Sequence, residues 1–418
     1  MTAAAESPKP VWTLADVTRI AVENNPDLKA ARARLDQASA RIGIYTSQYL
    51  PHLDVSAGFD ETTLPSPSAG SSALVGIAEP YTSGVVALRQ LVFDFGQALA
   101  RIESGIADSR AREQDASAVL ADVKLAVERA FYNVIAADLL VQVAEKGTAQ
   151  FQETFRTTKV LVDTGARPSF DLTQAQVELA KARLTLIQAN NAAKISRVVL
   201  LTVMGQREQV EFETREAESA VPAPPASHLD LRGLTRKALD ARPELRSAEY
   251  SAESARQQLS GEARTFFPTF SAQAWYGKYL PEYPVNLRDA WGAGVGLTWN
   301  LFAGLETNFR IRELGARVEE QDAGIEKQRE AVSSQVTSSY MDLATSEDAL
   351  KVAEEALGAA RENLRLAKRR YDANVGTILE LLIAETSLVN AEAVQVQSRY
   401  GYNVALATLK RAVGAALE

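Results

Sequence analysis

The sequence predicts a mainly α-helical chain with a smaller β part, built as a tandem duplication of one helix–strand–strand–helix–helix unit. Three observations lead there: a long internal repeat, a hydrophobic period that changes in the same order in each copy, and heptads sustained over two long stretches. Thr18–Leu28 returns as Thr235–Leu245, with Pro26 falling on Pro243 at an offset of 217 that also carries Pro51 onto Pro268. Further along the offset drops to 209, taking Phe93 to Phe302, Asp163 to Asp372 and Gly205 to Gly414. The first copy therefore holds 8 extra residues between Pro51 and Phe93. Copies of this size exceed a solenoid unit, so a duplicated domain is expected.

The expected division is a first repeat over 1–205, a Pro-rich linker over 206–230, a second repeat over 231–414 and a tail over 415–418. Each repeat opens with a helix rich in Ala, Arg, Glu and Gln, over Leu14–Tyr49 or Leu231–Phe266. Pro51 and Pro268 end it, because the residue before proline is pushed out of the α region. Two strands follow, over about 51–61 and 81–93 in the first copy and about 268–278 and 291–302 in the second. Leu53, Val55, Ala57 and Phe59 alternate with polar or small residues, as do Trp291, Ala293, Val295, Leu297 and Trp299. The loops Thr62–Pro80 and Lys278–Asp289 hold Pro, Gly or polar residues, and the first absorbs the insertion.

Long helices come next. Leu343, Leu350, Leu357, Leu364 and Tyr371 fall seven apart, with small residues at Ser346, Ala353, Ala360 and Ala367. A second series starts at Leu381 and Leu388, interleaved with Ala384 and Ala391. Large and small residues at a and d let two helices approach closely as a coiled coil. Gly304–Ala373 reads as one helix of about 70 residues, roughly 105 Å long at 1.5 Å per residue. A tunnel wall or stalk accounts for such a length. The segment Val221–Pro225, within 206–230, marks a surface linker.

Composition narrows the partners. With 45 basic and 53 acidic residues the formal net charge is −8, and no basic stripe interleaves with aromatics. Nucleic acid is excluded as a partner. There is no cysteine, hence no disulfide and no thiolate metal site. No apolar run approaches the ~18 residues of a spanning helix, which leaves a β-barrel open because its strands alternate. Four short strands cannot close a barrel alone, and an open edge cannot sit in lipid, so several chains would share one. Aromatics bracket the strands: Tyr49, Phe93, Phe95, Phe266, Phe267, Trp299 and Phe302 at one end, Phe59, Tyr81, Tyr276, Tyr279 and Trp291 at the other. Two belts of this kind fit the two interfaces of a membrane. The soluble alternative is a pair of hairpins packed on helices.

The order of elements, together with Asn25-Pro26-Asp27-Leu28, Tyr49-Leu50-Pro51, Leu91–Gly96 and Leu301–Gly304, resembles the TolC-like outer-membrane efflux protein family. The resemblance runs from about Leu14 to Gly414. It implies a homotrimer with a 12-stranded β-barrel in outer-membrane lipid, continued by a 12-helix coiled-coil tunnel in the periplasm of a Gram-negative bacterium. It also implies two partners, a periplasmic adaptor protein and an inner-membrane transporter. The N-terminus, Met1-Thr-Ala-Ala-Ala-Glu, has no basic n-region and no apolar h-region. Either the chain is cytosolic or an initiator methionine stands in place of a signal peptide, and the resemblance favours the second.

The turns between long helices, Asp163–Asp171 and Asp372–Glu380, correspond to the family's adaptor-facing tips. The resemblance places docking at Gly165 and Ala166 in the first, and at Asn374, Val375, Gly376 and Thr377 in the second. Family members usually have glycine at both first positions. Asn374 departs from this, and either Asn374 or Gly376 takes the left-handed conformation. The resemblance also places a gate at Tyr371 and Asp171, joined by a hydroxyl–carboxylate bond, with constriction rings at Glu380 and Ile383. Glu380 would favour cations, and Ile383 makes the inner ring apolar where some members carry aspartate. Read without the family, these residues cap and pack helices.

No enzyme is expected. His52 and His228 stand in unrelated contexts, no metal cluster or Ser–His–Asp set assembles, and Gly292-Ala-Gly294-Val-Gly296 is strand alternation rather than a phosphate cradle. No cofactor is implied. The functional expectation is the outer-membrane exit duct of a tripartite efflux system carrying small molecules or ions. The duct of a type I protein secretion system is the alternative within the family, and a soluble coiled-coil scaffold the one outside it.

Overall fold

The computed structural model describes residues 10–65, 76–206, 211–215, 229–281, 287–373 and 375–414. In chain order these form β1 (Val11–Trp12), α1 (Leu14–Asn24), α2 (Pro26–Thr46), β2 (His52–Pro65), β3 (Gly76–Phe93), α3 (Gln97–Asp163), α4 (Ser169–Val203) and β4 (Glu213–Thr214). The series continues with α5 (Leu231–Ala241), α6 (Pro243–Ala263), β5 (Thr269–Pro281), β6 (Arg288–Thr298), α7 (Glu306–Asp372) and α8 (Ile378–Val413). α3 and α7 have 67 residues each, so the length expected from the heptads of α7 is also reached in the first copy.

The single opening helix expected in each copy is instead two helices and a short 3-10 turn. Pro26 and Pro243 begin α2 and α6, and the preceding Asn25 (ψ 127°) and Arg242 (ψ 125°) are extended. Pro at the first helical position lacks only an N–H that would be orphaned anyway, while its ring drives the residue before it out of the helix. Asn25 then caps α2, its Oδ1 accepting from the Asp27 and Leu28 N–H groups.

The strands also depart from the expected bounds. β2, β3 and β5 run into the expected loops, because ladder hydrogen bonds continue through polar residues as readily as apolar ones. β6 ends at Thr298, short of the expected 302. Residues 66–75 and 282–286, with most of the expected linker, His228, Asn374 and the tail 415–418, lie outside the described residues. The surface-linker expectation is corrected at one place. Phe212 is 3% exposed, stacks on Trp12 at 4.5 Å, and leads into β4, which pairs in parallel with β1.

The chain forms two compact units. One, residues 33–114 and 246–326, holds an antiparallel sheet of order β2-β3-β5-β6. Its register places Leu53, Val55 and Phe59 across from Leu88, Val86 and Thr82, then Ala274 and Tyr276, then Ala293 and Trp291, all on one face. The opposite face carries Asp54, Ser56, Ser83, Gln273 and the glycines of β6. The apolar face is bare in the single chain, with Val55 76%, Trp291 76% and Val295 75% exposed. Side chains of Tyr81 and Tyr279, placed in the loop-end belt, are outside those described. At the helical end of the sheet Asp94 is buried and accepts from the Gly96 and Ala98 N–H groups and the Tyr49 hydroxyl. This joins two of the sequence motifs.

Among its described residues the other unit is helical apart from β1, β4 and the connecting turns. Val17 and Ala21 of α1 pack on Val123, Val127, Val134, Leu200 and Met204 of α3 and its hairpin partner. Leu234 and Ala238 of α5 pack on Val332, Val336, Leu343, Leu409 and Val413. The second set is the first displaced by the repeat offsets, position for position. Each fully buried Val or Leu contributes about 1.5–3 kcal/mol, so the same sites hold both halves. A third cluster, Phe151, Leu179, Tyr371, Ile378, Leu381 and Leu382, closes the ends of the helical hairpins.

Candidate functional site

The site expected from the sequence lies at the two hairpin tips, where α3 turns into α4 and α7 into α8. The first tip is a helix C-cap with a left-handed glycine. Gly165 has φ +74°, its N–H donates to the Val162 carbonyl at 2.9 Å, and the Ala166 N–H donates to Leu161 at 2.8 Å. These paired bonds satisfy the last carbonyls of α3 and form a Schellman motif. A Cβ on Gly165 would meet nothing within 4 Å, so glycine is required there by backbone conformation alone.

The second tip is built differently. Gly376 is not in the left-handed region, which removes one of the two positions left open by the sequence. It is glycine for want of room: an added Cβ would lie 3.0 Å from Arg370 Cβ and 3.1 Å from the Tyr371 nitrogen. Thr377 is the N-cap of α8, its side chain accepting from the Glu380 N–H at 3.2 Å. Val375 is 68% exposed, and Phe170 beside the first tip 65%.

The four expected gate residues separate into two pairs. Tyr371 and Asp171 are buried at 4% and 7% exposure, whereas Glu380 and Ile383 are exposed. Among the described residues no hydrogen bond joins Tyr371 to Asp171 within the chain. The Tyr371 hydroxyl lies 3.5 Å from Thr158 Oγ1, and the Arg167 guanidinium sits over its ring at 4.7 Å. Arg167 also donates to the Gly376 carbonyl at 3.4 Å. A residue of the first tip thus holds the second, and the sequence reading missed it. Glu380 faces Arg370 at 3.3 Å, a counter-charge that offsets the cation preference expected of it.

A second group missed by the sequence reading is Glu385. It stands on the buried face of α8, four residues after Leu381, and is 3% exposed. Thr154 of α3 donates to its Oε1 at 2.6 Å, while Oε2 is buried without a hydrogen-bond partner among the described residues. Burial pushes its carboxyl above the ordinary 4.5, against hydrogen bonds from Thr154 and Gln150 and the charge of Lys368. Packing therefore shifts the balance toward the protonated acid relative to the unfolded chain. Its stabilising contribution is full below pH 4.5 and declines as pH rises through the raised value. Glu385→Gln keeps the shape and removes the charge. The variant is expected to be about 1–3 kcal/mol more stable than the parent above neutrality, with no gain near pH 4. Urea unfolding at both pH values checks this, and a gain of equal size at both would contradict it.

Among the described residues no group of three or more His, Cys, Asp or Glu is placed to hold a metal ion, and no helix is long and apolar enough to cross a membrane. The tips thus offer helix ends, a cation–π contact and exposed apolar side chains.

A profile of the family described as outer membrane efflux protein matches residues 17–206 and 234–415. The toluene efflux pump outer membrane protein TtgC of Pseudomonas putida is 23% identical over 282 residues, covering 64% of this chain and 54% of TtgC. The cation efflux system protein CusC of Escherichia coli O157:H7 is 24% identical over 293 residues, covering 68% and 59%. The chain thus spans little more than half the length of these relatives. Among solved structures, the outer-membrane channel OprN superposes with a TM-score of 0.84 at 22% identity, over 96% of this chain and 90% of OprN.

Proposed function

The chain belongs to the outer membrane efflux protein family, and from that premise we propose that three copies of it form an outer-membrane exit duct of a tripartite efflux system. The observation that carries this reading is the sheet. It has one largely apolar face, bare in the single chain and interrupted by the Lys278–Asp289 ion pair near the loop ends of β5 and β6. Among the described residues no strand pairs the outer edges of β2 and β6. In water such a face and such edges promote aggregation. In lipid the edges cost several kcal/mol for each unpaired group unless they close on other copies. Three four-stranded sheets joined edge to edge give a 12-stranded barrel, with the apolar face toward lipid. The helical hairpins of the duplicated unit then form the tunnel, in the periplasm. A periplasmic adaptor and an inner-membrane transporter are the partners, and the exposed Phe170 and Val375 with Gly165, Ala166 and Thr377 are the adaptor-facing surface. The names of TtgC and CusC support small solutes or ions as cargo.

In detergent the protein is expected to run as a trimer at the lowest usable concentration and to conduct in a planar bilayer. A monomer with native β content would refute the shared barrel.

The tips are the gate. Tyr371 and Asp171 lie in the packed hairpin ends, and Arg167 bridges to Tyr371 and Gly376 in the closed state. A cation–π contact of this kind is worth about 0.5–2 kcal/mol. Tyr371→Phe keeps the ring and removes only a 3.5 Å hydroxyl contact, whereas Arg167→Ala removes the bridge. Single-channel conductance is therefore expected to rise more in Arg167→Ala than in Tyr371→Phe. The reverse order would return the gate to the hydroxyl.

A further inference from the structure

We propose that a polar cavity between α2, α3, α6 and α7, in the unit that holds the sheet, binds a small polyanion presenting carboxylate or phosphate oxygens. The cavity has a volume of about 370 Å³. That is the lower end of the ~300–1,000 Å³ typical of ligand sites. Arg41, Arg112 and Arg317 line it against a single carboxylate, Asp108. The excess is cationic in a chain whose formal net charge is −8.

The arginines are held rather than loose. Arg41 and Arg112 both reach Asp108, at 3.4 and 3.5 Å, from opposite sides in sequence. Arg317 donates to Gln258 Oε1 at 3.3 Å, and Gln258 in turn donates to Ser104 Oγ at 3.1 Å. Ser104 and Ser254 are 5% and 6% exposed and lie 3.0 Å apart on the floor. The floor hydroxyls are thus satisfied by one another and by Gln258, which fixes the amide and through it the Arg317 side chain. A guanidinium has five N–H donors in a planar fork. Arg41 gives one to Asp108 while Arg317 gives one to the neutral Gln258 amide, so these two forks supply the cavity with donors. Carboxylate and phosphate oxygens match that fork in pairs, whereas a lone chloride or a neutral solute does not. Two separated anionic groups on one molecule would meet the Arg41–Arg112 wall and the Arg317 wall together.

Titration calorimetry of the purified, detergent-solubilised protein with citrate and with inorganic pyrophosphate tests this at low and high salt. Saturable binding that weakens with salt is expected, together with affinity at least tenfold lower in Arg41→Gln/Arg317→Gln. Both arginines are substantially exposed, so the variant should keep the parent's unfolding midpoint. A control, Lys351→Gln/Arg365→Gln, removes the same charge from residues that do not line the cavity and should bind like the parent. No saturation, equal affinity in the cavity variant, or equal loss in the control would each overturn the proposal. Loss of binding only in step with loss of oligomer would also overturn it, since the arginines would then serve contacts between copies.

Discussion

Glu244→Ala is expected to destabilise the folded chain by about 3–5 kcal/mol at neutral pH, the cost of breaking a buried ion pair from one side. Glu244 lies between two arginines that are almost wholly enclosed. Arg242 donates to it at 3.1 Å with its side chain 5% exposed, and Arg411 pairs with it with 9% exposed. Without the carboxylate, Arg242 keeps the Gln335 amide oxygen at 2.6 Å and Arg411 keeps Asp122, itself 65% exposed. Neither replaces the lost charge, and Arg411 Nη1 is already buried without a partner among the described residues. Burial raises the Glu244 pKa, but the bonds from Arg242 and Arg411 outweigh it and hold the group at about 2, below its ordinary 4.5. A depressed pKa stabilises above the unfolded value and is lost as pH falls toward the folded one. The gap between Glu244→Ala and the parent should therefore be full above pH 4.5 and close toward pH 2. Its repeat counterpart Asp27 is exposed at the start of α2, and Asp27→Ala should cost under about 1 kcal/mol. Denaturant unfolding of both variants side by side reads the contrast, and equal losses would mean that the buried arginines do not need Glu244.

That asymmetry shows what a sequence can carry. The heptads of α7 were legible because the period is local, and the small residues Ala353, Ala360 and Ala367 are indeed the buried ones. The apolar face of β2 and β6 was legible for the same reason, since alternation fixes a face once the strand is found. The break at Asn25 was also written there. The rule that ended the opening helix before Pro51 applied equally to Pro26, and the helical pattern on both sides masked it. Glu385 was within reach too: four residues after Leu381 and three before Leu388, it shares their face. The Arg242–Glu244–Arg411 cluster was not legible. Arg242 stands where the first copy has Asn25, and its role depends on Arg411, which is Thr202 in the first copy. Nothing local links residues so far apart in the chain. The tips show the same limit, since Arg167 reaches Tyr371 only through the packing of two hairpins.

Gly205→Ala is expected to cost about 3 kcal/mol or more, and Gly165→Ala only about 1–2, although the two glycines have nearly the same backbone conformation. Their φ values are +72° and +74°, so the strain of placing a Cβ in the left-handed region is common to both. The surroundings differ. A Cβ on Gly205 would lie 2.8 Å from the Asn24 carbonyl oxygen and 2.9 Å from its carbon, backbone atoms that cannot rotate aside. Moving them displaces Asn25, whose Nδ2 donates to the Val203 carbonyl at 2.9 Å and whose Oδ1 caps α2. Losing a part-buried bond of that kind adds roughly 1–3 kcal/mol. Gly414, the repeat counterpart, has φ +73°, and its Cβ would come no nearer than 3.4 Å to Arg242 Cγ and 3.8 Å to the Ala241 backbone, ordinary contact distances that need no backbone shift. Gly414→Ala should therefore resemble Gly165→Ala in stability. Function should separate the variants in the other direction. Gly165→Ala leaves packing intact and alters the proposed adaptor-facing turn, so cellular export should fall while oligomer yield and unfolding midpoint stay near the parent's. Gly205→Ala should lose export only in proportion to the folded protein that remains. A Gly205→Ala midpoint within error of Gly165→Ala would mean that the α1–α2 junction gives way freely. Full export by Gly165→Ala would remove that turn from the docking surface.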